Sequence, residues 1–553
     1  MVLSGPLPAH LLPALLPLAA LFDSDLCGLG GGAGTPQGPA PGGETFSAGV
    51  RRRMAQRNLR GLAGRYFPLV GILAVALAVR LFRLTWPGIW SDEGFSIFLA
   101  RSPLPDLVLG TANDLHPPLF YLLLKVWLLP GFSEVWGRLF SVLWGMATVV
   151  LAYLAGRHFF DPAVGTWAAL VLALSPLHVA YSREIRMYIV LVFLSALSLY
   201  LAWRWAAHPF RGAWAGCIAA TLLALYTQNL ALFLLPVENI LVVATLVGRR
   251  RWGDLGHWVL GQALLLLGYL PWLPVTIAQT LFHKATWVGT ARPEQLRDVF
   301  PHLLLGEPRL GEEGWWLLAA YLWMAAALVG AGLYLAKRRE RWRNGLWSTG
   351  WFLLLAGVLV GVTTHFPIFQ EKQFLMLTVP MALLAGWGLA GLPRAGRVAA
   401  LLLFLVLVIP SLVNLYVRHE IADHPPQEAW RELAAYMEAH IQPGDALVIN
   451  PGAAEPTLNL YLTAPITRAA YPQTYDPRVG NFAGQVATPQ RVEALLRPLA
   501  EGHRRIWLVE CCLPTFWDPE RYLPAWLEAW GRPVDLPAFP GLEVRLYERK
   551  TFP

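Results

Sequence analysis

From about residue 66 onward the chain alternates long apolar runs with short polar breaks. The first run spans Tyr66 to about Leu84, and later ones cover roughly 135–156, 163–181, 185–204, 212–227, 229–248, 256–276, 314–336, 346–364, 373–391 and 397–417. Each is long enough to cross about 30 Å of hydrocarbon as a helix. The pattern therefore predicts eleven transmembrane helices.

Lys and Arg resist translocation, so basic loops mark the cytoplasmic side. A basic cluster, Arg51, Arg52, Arg53, Arg57, Arg60 and Arg65, precedes the first run. Alternating the runs from a cytoplasmic start puts Arg157, Arg204 with Arg211, Arg249 to Arg251, Lys337 to Arg343, and Arg394 with Arg397 in loops on that same side. This register holds only if the apolar stretch Pro117 to Pro130 does not cross. At fourteen residues it is short, it opens with two prolines suited to a first helical turn, and Lys125 can reach the headgroups. The expectation is a helix lying along the outer surface.

The outer side then gathers residues 85–134, the turns at 182–184, 227–229 and 365–372, the loop 277–313, and everything after about Val417. That last part changes pattern. Residues 430–440 and 488–500 read as helices, and 446–450, 505–510 and 542–547 as strands. A small extracytoplasmic α/β domain over 421–553 is predicted, following a transmembrane domain over 61–420. Residues 1–60 read as a disordered Pro, Gly and Ala rich tail. Its apolar run 11–21 lacks the basic flank of a signal peptide, and initiation near Met54 is an alternative.

Composition agrees with the patterning. The 553 residues are 56% hydrophobic and 14% charged, too apolar for a soluble globular protein. Twenty-five tryptophans suit an interfacial belt, since an indole joins an apolar body to one N–H. The net charge of +8 is accounted for by the cytoplasmic loops, which removes the main support for nucleic acid as a partner. Cys27, Cys217, Cys511 and Cys512 are too few and too irregular for a disulfide framework or metal cage, and read as small buried side chains.

Two stretches carry candidate chemistry. The first holds Asp92 and Glu93 just beyond the opening span, then Asp114, His116, Pro117, Pro118 and Tyr121. A carboxylate there is either a solvated or capping group or a general base, which works best partly desolvated and close to the proton it takes. No second Asp stands at the spacing that grips a nucleotide diphosphate through a divalent ion. Asp114 reads as a cap for the helix at Pro117, and His116 as a secondary contact or structural group. The second stretch runs from Tyr181 to Tyr188 through Arg183, Glu184 and Arg186. If helical, the two arginines share a face, and paired guanidiniums suit a phosphate at headgroup depth. The competing reading is a structural network neutralised by Glu184. Lys372, beside Glu371, is a third possible cation, whereas Arg80, Arg138 and Glu238 are expected to pair internally.

With these residues in view, the chain resembles the polyprenyl-phosphate-dependent glycosyltransferases of the GT-C fold, in particular bacterial relatives of protein O-mannosyltransferases and of aminoarabinose transferases. The resemblance covers about residues 66 to 420. It rests on Asp92 and Glu93, on His116 to Leu119 with Tyr121, on Gly137 to Leu139, and on Tyr181 to Tyr188. It implies a catalytic Asp in the first outer loop, here Asp92 with Glu93 supporting it. It also implies a polyprenyl-phosphate-linked sugar as donor, and from the residues themselves Arg183, Arg186 and Lys372 are expected at its phosphate, with His116, Tyr121, Glu184 and Tyr188 in support. Where relatives often show Arg-Tyr before the penultimate span, this chain has Gln373 and Phe374, with Lys372 one place earlier. The acceptor could be a lipid, polysaccharide or protein. No cofactor is expected, and a divalent metal is possible but not required. The alternatives are an oligosaccharide ligase or polymerase using a lipid diphosphate, and a lipid or solute transporter.

Overall fold

The computed structural model describes residues 67–282, 289–307, 313–417, 428–478, 486–511 and 517–550. The N-terminal tail and Cys512 lie outside them. Every predicted apolar run contains helix. Among the described residues, seven helices are long and apolar enough to cross a membrane unaided: Glu134–Phe159, Tyr188–Ala207, Asn229–Gly248, Gly314–Lys337, Arg339–His365, Glu371–Gly391 and Arg394–Val417. The run 256–276 is not one straight rod. Trp252–Tyr269 and Leu273–Leu281 meet at 72°, making an eighth span if the pair is counted as one.

The run 163–181 is also broken, between Pro162–Leu174 and Pro176–Tyr181. Pro176 has no N–H to continue the first helix and disfavours a helical residue before it. Ser175 uses the break: its hydroxyl donates to the Leu303 carbonyl at 2.7 Å. Helix starts follow side-chain chemistry, with Ser133 accepting from the Trp136 amide and Asp161 from the amides of Ala163 and Val164. Close helix contacts use missing side chains. A Cβ on Gly388 would stand 2.2 Å from the Ala327 carbonyl oxygen, so that pair of helices packs backbone to backbone.

The two ends of the bundle differ chemically. At one, Arg249 and Arg251 donate to the carbonyls of Ala207 and Ala206, Asn344 to that of Phe159, and Arg397 to those of Leu389, Ala390 and Leu392. The predicted basic loops thus finish helix C-termini, where cations are favoured. The other end carries three short helices, Ser91–Arg101, Leu104–Ala112 and Leu119–Trp127. The last is nine residues, about 13 Å at the usual helical rise, too short to span. Its Lys125 does not reach away from the protein: Nζ donates to the Ser102 carbonyl at 2.7 Å and the Ala100 carbonyl at 3.3 Å, capping the Ser91–Arg101 helix.

At this end sits the predicted α/β unit, a five-stranded sheet. Its strands are β1 Asp445–Asn450, β2 Thr467–Ala470, β3 Arg505–Cys511, β4 Gly531–Val534 and β5 Leu542–Arg549. The order is β2-β1-β3-β5-β4, parallel from β2 to β3 and antiparallel beyond. Alternate residues face opposite helix layers. Leu447, Ile449, Trp507 and Val509 pack on helix Trp430–His440, while Ala446, Val448, Ile506 and Leu508 pack with Val492, Leu496, Leu523 and Leu527. Strands β2 and β4 and helix Tyr522–Trp530 were not evident from patterning, being short or sharing one apolar face with a neighbour. Cys217 and Cys511 are buried, as expected of small apolar side chains.

The sheet unit is fastened to the helix that carries Asp92. Glu428 Oε2 accepts from the Ser91 amide at 2.8 Å, the Ser91 hydroxyl at 2.6 Å and the Trp430 indole at 2.6 Å. One turn further, a Cβ on Gly94 would stand 2.0 Å from Thr457 Oγ1, so the helix rests directly on Glu455–Leu458.

Candidate active site

Asp92 opens the Ser91–Arg101 helix, where free backbone N–H groups favour a carboxylate. Its side chain is 44% exposed and Oδ2 lies 3.2 Å from Arg186 Nη2. Arg186 also donates through Nη1 to the Asp92 carbonyl and to Ser96 Oγ, both at 3.2 Å. Its Nη2 is 3.5 Å from His116 Nε2. Burial opposes the Arg186 charge, but Asp92, then Tyr121, Tyr188 and Asp114, outweigh it and raise its pKa above the ordinary value. Burial, reinforced by Arg186 and Lys372, holds His116 well below its usual pKa. The imidazole is therefore neutral and its Nε2 can accept from the guanidinium.

Glu93, the next residue, points the other way and is fully buried. Its carboxylate receives Arg138 at 2.5 and 3.0 Å and the Ile185 amide at 2.9 Å. Arg138 spends its remaining N–H groups on the carbonyls of Leu84, Pro87 and Gly88. The internal pairing expected for Arg138 is thus with Glu93, and together they knit the first span, the outer helix and the Ser182–Met187 turn. Arg80 and Glu238 also pair internally. Arg80 takes the carbonyls of Ala76 and Ala173 and the ring of His178, and Glu238 takes Ser198 and Thr221.

The two arginines of the second stretch part company. Residues 182–187 are irregular, not helical, so Arg183 and Arg186 do not share a face. Arg183 Nη2 donates to the carbonyls of Phe82 and Arg83 at 3.0 and 2.8 Å, and its guanidinium lies 4.9 Å over the Tyr416 ring. Burial lowers its pKa to about 10. Arg186 keeps company with Lys372 instead: the Tyr188 ring has the Arg186 guanidinium 6.0 Å and the Lys372 ammonium 5.4 Å from its centroid. Glu184 is buried, its backbone carbonyl accepting from Ser141, and burial, with the Glu93 charge adding, pushes its pKa up to about 8.

Asp114 does not cap a helix. Leu119–Trp127 starts after Pro118 without a side-chain cap. Asp114 joins the cluster: burial pushes its pKa up to about 6, against the pull of Arg186. Tyr475, from the sheet unit, closes the far side, edge-on to Phe95 and Phe98 at 4.9 and 5.7 Å. Nothing in the local sequence around Tyr475 signals this, because the contact joins segments at opposite ends of the chain.

Three polar atoms around Asp92 have no hydrogen-bond partner among the described residues: the Tyr121 hydroxyl, His116 Nδ1 and Arg186 Nε. Water or a polar ligand would be needed to pair them. Three ligand atoms suited to a metal come within 4.8 Å of one another at His302, Glu307 and Glu371. None of these belongs to the Asp92 cluster.

A membrane bundle with short surface helices at one end, a carboxylate on the first of them and an α/β unit seated there defines the GT-C class of fold. Comparison with known proteins narrows the likeness. Residues 115–274 match the family model of dolichyl-phosphate-mannose-protein mannosyltransferases. The ArnT structure from Cupriavidus metallidurans in the apo state superposes with a TM-score of 0.59 at 16% identity, covering 86% of this chain and 97% of that one. ArnT bound to undecaprenyl phosphate gives the same score and identity over 87% and 98%. The oligosaccharyltransferase AglB from Archaeoglobus fulgidus, in complex with an inhibitory peptide and a dolichol-phosphate, is more distant, with a TM-score of 0.46 at 11% identity over 85% and 73%. Comparison with curated proteins finds no match. The GT-C resemblance drawn from the motifs stands, and the family match with the shared fold supports a membrane glycosyltransferase.

Proposed function

We propose that the protein is an inverting glycosyltransferase that moves a sugar from a polyprenyl phosphate to an acceptor hydroxyl on the outer face of the membrane. One observation carries the reading: a half-exposed carboxylate, Asp92, is held 3.2 Å from a strongly charged guanidinium, Arg186, amid buried polar atoms that have no partner among the described residues. Asp92 takes the proton from the acceptor hydroxyl as its oxygen bonds to the anomeric carbon. The bond from that carbon to the phosphate oxygen breaks, and polyprenyl phosphate leaves. Arg186 and Lys372 stabilise the charge gathering on the departing phosphate. Attack from the face opposite the phosphate inverts the anomeric centre.

The relatives lend support without fixing the substrate: ArnT was solved with undecaprenyl phosphate, and the matched family is described by a dolichyl-phosphate-mannose donor. The orientation rests on charge. The basic loops gather at the end of the bundle away from Asp92, which supports a cytoplasmic location for that end and the N-terminus and an outer one for the sheet unit. A donor outside the cell cannot be a cytosolic nucleotide sugar.

The test is to incubate the purified protein in lipid with a panel of polyprenyl-phosphate and polyprenyl-diphosphate sugars and follow loss of sugar by mass spectrometry. Turnover of a monophosphate donor supports the reading, whereas turnover of diphosphate donors alone, or lipid transport without transfer, overturns it. Asp92→Asn should lower transfer by roughly 10²–10⁴-fold, the range of a lost general base, and leave donor binding intact. Full activity in that variant removes Asp92 as the base.

A further inference from the structure

A second cluster of ligating side chains lies outside the Asp92 site. Helix Pro293–Leu305 ends at Gly306, whose φ of +78° is a conformation that a side chain disfavours. Space forbids one as well, since a Cβ there would stand 2.5 Å from Ser411 Cβ. The reversal turns Glu307 back beside His302, with Oε1 3.7 Å from Nδ1. From a different part of the chain, Glu371 opens the Glu371–Leu377 segment and brings Oε1 and Oε2 to 3.1 and 3.3 Å from the same nitrogen.

Ligands about 2.1 Å from a shared ion in tetrahedral or octahedral geometry stand about 3.0–3.4 Å apart. The spacings of 3.1 and 3.7 Å need little adjustment to meet that. The three side chains are 12%, 27% and 11% exposed, sheltered yet reachable. A further observation concerns the surroundings. Trp316 is 2% exposed, its ring lies 5.7 Å from that of His302, and its indole N–H has no acceptor among the described residues. Water completing the coordination of an ion would offer that acceptor, in the manner of outer-shell partners at metal sites.

We propose that His302, Glu307 and Glu371 bind one divalent transition ion of the zinc type. One imidazole with two carboxylates suits such a borderline ion better than calcium or magnesium, which prefer oxygen ligands alone. The ion clasps the Pro293–Glu307 segment to the Glu371–Leu377 segment. Since Lys372 follows Glu371, the clasp also sets where that ammonium stands beside Tyr188. The test reads metal binding and not catalysis, so its outcome is separate from that of the proposed reaction.

The experiment is to strip the purified full-length protein with a chelator, equilibrate it with zinc, remove excess and measure bound metal by mass spectrometry. The expected result is one zinc per chain, lost in Glu371→Gln and in Glu307→Gln while both variants elute as the wild type does on size exclusion. Thermal denaturation of the wild type should fall on chelation and recover with zinc. To guard against misfolded variants, His302→Cys loaded with cobalt should show a thiolate-to-metal charge-transfer band missing from cobalt-loaded wild type. Absence of zinc in the wild type, equal zinc in the Gln variants, or no such band in His302→Cys each overturns the proposal. A proton shared between His302 and the carboxylates is then what holds the cluster.

Discussion

Arg186 Nη2 stands 3.2 Å from Asp92 Oδ2, and the guanidinium is 6% exposed while the carboxylate is 44% exposed. The pair presents a fixed cation beneath a carboxylate that substrate can reach. Arg183, three residues earlier, turns Nη2 to the carbonyls of Phe82 and Arg83 and does not reach Asp92 in this way. Arg186→Ala should therefore weaken donor binding, raising KM for the lipid phosphate roughly tenfold or more, since a hydrogen bond to a charged group contributes about 1.5–3 kcal/mol. Arg183→Ala should instead lower the melting temperature with a smaller change in KM. Donor titrations alongside thermal denaturation separate the two. Equal KM changes would return Arg183 to the donor site.

Removing one member of the Glu93–Arg138 pair leaves a buried charge without its counter-ion, which typically costs about 3–5 kcal/mol. Glu93→Ala is expected to destabilise by that order, and Glu93→Ala with Arg138→Met to recover part of it. Thermal denaturation in detergent checks this. A Glu93→Ala protein as stable as the wild type, but inactive, would point to direct participation in the chemistry.

The Asp114 carboxyl is raised from 3.8 to about 6, chiefly by burial. A carboxyl raised in the folded protein holds its proton there after the unfolded chain has lost it. Stability from this group is thus highest below about pH 4, falls as pH rises to about 6, and is flat above. Asp114→Asn should remove that fall. The difference in melting temperature between variant and wild type, measured from pH 4 to pH 8, should grow in the variant's favour up to about 6 and then level off.

Gly94→Ala drives a Cβ into Thr457, at 2.0 Å from Oγ1 and 2.8 Å from its Cα. Because the backbone atom cannot swing aside, the helix bearing Asp92 must move from the sheet unit. Transfer should drop sharply, Thr457→Ala should restore it only in part, and limited proteolysis should cut between the bundle and the sheet unit sooner than in the wild type. A Gly94→Ala variant with wild-type turnover would show that the sheet unit does not position Asp92.

The sequence alone determined the parts that depend on local composition. Apolar run length marked where the bundle is helical, because spanning a bilayer sets a length that each segment must meet by itself. It did not show that the runs 163–181 and 256–276 are broken, and seven or eight of the eleven predicted spans are long and apolar enough among the described residues. Short continuous apolar runs at 446–449 and 506–509 marked the central strands, and the short reach of Leu119–Trp127 was visible in the prolines before it. Only tertiary structure decided which charges meet. Asp92 and Glu93 are indistinguishable as neighbours, yet successive positions on a helix point about 100° apart. One therefore faces Arg186 and the other the buried Arg138. The spacing of Arg183 and Arg186 suggested a shared face only if the turn were helical, and the packing of Ile185 against Gly137 and of Glu93 onto the Ile185 amide holds it in another shape. Tyr475, Glu428 and the meeting of His302 with Glu371 lie farther still from local pattern. Such contacts join segments far apart in the chain, and their geometry exists only once the helices and the sheet have packed.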